Sequence, residues 1–137
     1  MRQTVVIESR KLEQQLKKAL KRNPEVTTKT VTNIAYDLAG RSAKRAPRDT
    51  GDLRSNCSAV VNGTLVFEKE KKTGDSPAPK SKIKAEVGYG LPYAVRQHED
   101  MGLHHKDGEP KFLENPFLEN EQKYIDKLKA IPKKVLK

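Results

Sequence analysis

The chain has 137 residues, a length that fits one domain with one modest core. Only 34% of it is apolar and 5% aromatic, with no Trp, so the core is thin and either a partner or segments left outside the fold are expected. The formal charge is +10, yet 28 Lys and Arg are mixed with 18 Asp and Glu along the whole chain, which argues for general solvation over one dedicated phosphate-binding face and leaves no zinc-finger or aromatic single-strand motif in view.

Residues 4–7, Thr-Val-Val-Ile, form a β-branched run that predicts a short strand. Ser9 is placed to cap a helix over 10–22, whose Leu12, Leu16, Ala19 and Leu20 fall on one narrow stripe. Asn23-Pro24 then reads as a second helix start, because Pro at the first helical position gives up an N–H that has no partner there. Val31, Ile34, Ala35, Leu38, Ala39 and Ser42 repeat at three and four residues, predicting a helix to about Lys44 that stops before Pro47. Its small residues Ala35, Ala39 and Ala43 suit close packing on a sheet. After the turn at Asp49-Thr50-Gly51, Leu53 is expected to re-enter the core as a strand begins. Asn62-Gly63 between two β-prone runs predicts a hairpin, or one long strand bulged at Gly63. Residues 71–82, with Gly74, Pro77 and Pro79, are expected to be a mobile loop. In 83–90, Ile83, Ala85 and Val87 alternate with Lys84 and Glu86 as in a half-buried strand. Residues 91–102 fit a strand end or a short helix, and 103–111 a turn-rich loop. The last helix starts near Pro116, places Leu118, Ile125 and Leu128 on one face, and ends at Pro132. Residues 132–137 are expected to fray. The order predicts a single α+β domain over 1–137: a mostly antiparallel sheet of about four strands, packed by a long helix and a C-terminal helix.

Chemistry is sparse. The lone Cys57 permits no internal disulfide and suits a reducing compartment. The first ten residues are too short and polar for a signal peptide, and no apolar run approaches membrane-spanning length, so a protein made and used without crossing a membrane is expected. Asp49-Thr50-Gly51 matches the aspartic-protease triplet, where two carboxylates must share a proton. Arg48 beside Asp49 favours the fully ionised carboxylate, the wrong direction for sharing, so the triplet reads as a turn. His98, His104 and His105, with Glu99, Asp100 and Asp107, carry metal-ligand chemistry. The helical spacing H-E-x-x-H would need His at 102, which is Gly102, so a polar loop is the favoured reading. No catalytic residue, cofactor or metal is assigned on these grounds; a metal-dependent or aspartic hydrolase and a basic nucleic-acid-binding module stand as alternatives.

Three segments in order carry a resemblance. They are Ala46-Pro47, Asp49-Thr50-Gly51 and Leu53-Arg54; then Tyr93-Ala94, His98-Glu99 and Gly102; then Pro116-Phe117-Leu118. Together, over about residues 24–130, they resemble the neck and tail-completion proteins of long-tailed bacteriophages, also described as minor capsid, tail-component or head-to-tail connector proteins. Here the usual Glu-x-Gly-Thr is stretched to His98-Glu99-Asp100-Met101-Gly102, and a His-rich loop precedes Pro116. The resemblance implies a non-enzymatic virion subunit without cofactor, assembled in the host cytoplasm. It implies a homo-oligomeric ring, commonly a hexamer, at the head-proximal end of the tail. Its implied partners are other neck and tail-tube proteins and genomic DNA passing through the lumen without sequence specificity, with no membrane involved.

Overall fold

The computed structural model describes residues 9–46, 52–80, 82–89 and 112–134. The predicted strand at 4–7 and both readings of 91–111 lie outside these residues. Helix α1 (Arg10–Arg22) starts where the Ser9 side chain accepts from the Leu12 N–H at 3.2 Å. Asn23 both ends α1 and starts α2 (Pro24–Arg45): its N–H donates to the Ala19 carbonyl, and its side chain accepts from the Val26 N–H. One residue thus satisfies a free carbonyl of one helix and a free N–H of the next. A short helix α3 (Asp52–Asn56) follows, where a strand beginning at Leu53 was expected. The strand starts only at Ser58, because the chain needs one more turn to bring Arg54 inward.

Strands β1 (Ser58–Val61), β2 (Thr64–Glu68), β3 (Lys71–Lys72) and β4 (Ala85–Gly88) form one antiparallel sheet in the order β3-β2-β1-β4. The fold is the expected α+β arrangement. Asn62 (φ 48°) and Gly63 (φ 81°) make the two-residue hairpin turn, both in the left-handed region that such a turn requires. The Asn62 side chain also accepts from the Lys84 N–H at 2.8 Å, so the turn clasps the approach to β4. The register shifts between Ala59 and Val60, which face Phe67 and Leu65. Val66 is the extra residue, so Val66 and Phe67 are both buried where strict alternation would bury one. β4 is shorter than predicted: Ile83 and Val87 are half-buried, but Ala85 is exposed at the sheet edge.

β3 was not expected within 71–82. It pairs Phe67 with Lys72 and Glu68 with Lys71. Beyond it the chain is tied to α2: Tyr36 donates to the Gly74 carbonyl, Thr32 bonds Ser76, and Lys72 lies 4.6 Å over the Tyr36 ring. Helix α4 (Glu114–Lys129) closes the domain against α1 and α2. Its buried face is Phe117, Tyr124, Ile125 and Leu128, whereas Leu118, expected inside, is 59% exposed. A helix turns about 100° per residue, and the buried arc centres between Phe117 and Leu128, so Leu118 falls at its edge. The chain after α4 is also held. Arg22 donates to the Leu128 and Ile131 carbonyls at 2.8 and 3.0 Å, and the Lys134 N–H donates to the Arg22 carbonyl. The core lies between α2 and the sheet, where Ala35, Ala39 and Ala43 are almost fully buried and let helix and strands approach closely.

Candidate functional site

The described ends of two motif-bearing segments meet at the C-terminal end of α2. Residues 47–51, with Pro47, Asp49, Thr50 and Gly51, lie outside the described residues, as do Tyr93, His98, Glu99 and Gly102 within 90–111. So do His104 and His105. Their flanks are well defined. Arg54 is 6% exposed and donates from Nε to the Ala46 carbonyl at 2.7 Å, joining the two flanks of 47–51. The Tyr89 and Phe112 rings, on either side of 90–111, meet edge to face with centroids 5.1 Å apart. The Tyr89 hydroxyl lies 2.7 Å from Ser42 of α2. The Cys57 thiol reaches the Ala39 carbonyl at 3.6 Å and also bonds Tyr89, on which the Arg54 charge acts. Ala46, Arg54, Cys57, Tyr89 and Phe112 therefore form one buried junction from which both segments depart and to which both return.

The junction holds its protons. Burial pushes the Cys57 thiol up to about 12 against a smaller opposing pull from Tyr89. Burial likewise raises the Tyr89 phenol well beyond its ordinary range. A thiol and a phenol this reluctant to ionise act at neutral pH as hydrogen-bond donors that clamp neighbours. Of the motif residues, Arg54 belongs to this clamp. The Leu53 backbone is part of α3 beside it. Pro116 and Phe117 are buried in the first turn of α4, and Phe117 lines an apolar cleft of about 300 Å3 with Leu12, Leu16, Leu38 and Ile83. Sequence reading placed Ser42 on the repeating face of α2, where it is buried, but not its bond to Tyr89, and it missed Tyr89 and Phe112. The only local signal was an aromatic residue set at each flank of a polar stretch.

A second polar cluster lies on the surface where α2 meets α4. Asp37 accepts from Arg41 at 2.9 Å and from the Tyr124 hydroxyl at 2.7 Å, with Lys123 at 4.0 Å. Arg45 pairs with Glu119 beside it. Burial pulls the Asp37 carboxyl upward, but the bonds from Tyr124 and Arg41 and the charges of Arg41 and Lys123 outweigh it, leaving the group below the usual carboxylate range. Burial and Asp37 together raise the Tyr124 phenol. Among the described residues no group of three His, Cys, Asp or Glu is placed to hold a metal, and no helix is long and apolar enough to cross a membrane. Comparisons with protein-family models, curated proteins and solved structures each find no match to this chain. Fold and junction together describe an α+β domain whose two polar segments spring from one buried clamp.

Proposed function

We propose that the protein is a structural subunit of a bacteriophage head–tail joint: a neck or tail-completion ring that links tail tube to head connector. The observation that carries this reading is the ordered set of three motif segments, Ala46–Arg54, Tyr93–Gly102 and Pro116–Leu118. Two features support it. A small α+β domain is the fold the resemblance implies, and this chain folds as one, with a long helix over an antiparallel sheet. The described residues that flank the first two segments, Ala46 and Arg54 and then Tyr89 and Phe112, meet in one clamp. A thin core also suits a subunit stabilised by copies of itself. Light scattering coupled to size-exclusion chromatography, with and without tail tubes, tests the reading. A ring, alone or formed on tubes, is expected. A monomer that ignores tubes, and absence of the chain from purified virions, would overturn it.

A further inference from the structure

The cations are less evenly distributed than the sequence suggested. Helix α1 holds six Lys and Arg and a single carboxylate, Glu13, in 13 residues. At about 100° per residue, Lys17, Arg10, Lys21, Gln14, Lys18 and Lys11 fall in that order within an arc of about 120°. All six are exposed, and Glu13 lies outside the arc. Leu12, Leu16 and Ala19 occupy the opposite side, against the core. The five cations of the arc make no ion pair with any described residue, and no carboxylate interrupts the arc, whereas on α2 and α4 Arg41, Arg45 and Lys123 are answered by Asp37 and Glu119 beside lysines that are also unpaired. The helix is firmly mounted, capped by Ser9 and Asn23 and tied to the end of α4 through Arg22.

We infer that this face of α1 is a docking surface for the phosphate backbone of duplex DNA. The arc has no apolar or aromatic residue, so it lacks the buried anchors of a protein interface and the stacking platform of a single-strand binder. Ala19 is fully buried and Leu12 and Leu16 are turned toward the core, on the side opposite the arc, so the cationic face has no apolar face beside it to enter a membrane surface. What remains is a rigid row of cations about 16 Å long from Arg10 to Lys21, the length of about five base-pair steps. Its contacts are to phosphates and carry no sequence preference. The inference rests on the head–tail reading only for the source of the DNA.

The test is fluorescence anisotropy of the full chain with a labelled duplex of mixed sequence, titrated across salt. Two variants lose the same charge: K11Q/K17Q/K18Q/K21Q on α1, and K69Q/K71Q/K80Q/K82Q on the second lysine-rich stretch. The α1 variant is expected to bind at least about tenfold more weakly at low salt, with a log–log salt slope shallower by roughly three to four. The other variant is expected to stay close to the parent. Equal weakening of both, or no binding by the parent, overturns the inference. So does poly-glutamate displacing the duplex at equal charge, which would assign the face to an acidic protein segment. A chain that forms rings on tubes but ignores the α1 changes loses this inference alone. One that keeps α1-dependent binding but joins no ring or virion loses the head–tail reading alone.

Discussion

Arg54 belongs to a residue type usually found at the surface, yet here it is buried, and its guanidinium holds the Ala46 carbonyl where α2 ends. Arg54→Ala leaves that buried carbonyl short of a charged donor and removes the packed stem. The expected loss is about 3 kcal/mol, read as a lower urea midpoint at unchanged slope. Arg54→Lys is expected to recover only part, because an ammonium lacks the planar fork. Tyr124 and Asp37 give a second prediction. Unfolded carboxylates titrate near about 3.9, and the folded Asp37 lies lower. Its contribution is therefore fully present above that value and lost as pH falls through the folded pKa. The Tyr124 phenol is raised, so its side of the bond persists below about pH 10 and is lost only as pH rises through its folded value. Tyr124→Phe should cost about 1 kcal/mol at neutral pH, and the gap from the parent should close in acid. A gap that stayed constant from pH 7 to pH 2 would show that ring packing, not the bond to Asp37, sets the cost.

At the scale of elements, punctuation was the legible part. Asn23-Pro24 and Asn62-Gly63 act through their own backbones and need little from the rest of the chain, so the corner between α1 and α2 and the hairpin were readable in advance. β3 and α3 were not, because two and five residues have no period to detect. β3 exists because β2 offers an edge and because Tyr36 and Thr32 tether Gly74 and Ser76 just beyond it. The junction was hidden for a similar reason: Ser42 and Tyr89 are 47 residues apart and meet only after helix and sheet have packed. Asn62 tests how far local and tertiary roles separate. Asn62→Gly keeps the left-handed turn but deletes the side-chain bond to the Lys84 N–H. A loss of about 1 kcal/mol, with faster hydrogen exchange at Lys84 than in the parent, is expected. Unchanged exchange there would reduce Asn62 to a turn residue.

For the molecule as a whole, the tie between α1 and the end of α4 matters most. Arg22 answers the Leu128 carbonyl in the last turn of α4 and the Ile131 carbonyl just beyond it with a positive charge, the favourable sign at a helix C-terminus. Arg22→Ala should cost about 2 kcal/mol and raise protease susceptibility in α1 before the sheet is attacked. Simultaneous loss of both would mean that α1 is no separate opening unit. The tie also orders events during synthesis. Helix α1 is made well before α4, and the carbonyls that Arg22 holds lie 109 and 106 residues later. At translation speeds of about 5–20 residues per second, about 5–20 s separate the synthesis of α1 from that of the carbonyls that hold it, and until then α1 has only α2 to pack on. Ribosome-bound intermediates stopped short of residue 114 lack the α4 side of this packing and should expose α1 to chaperones.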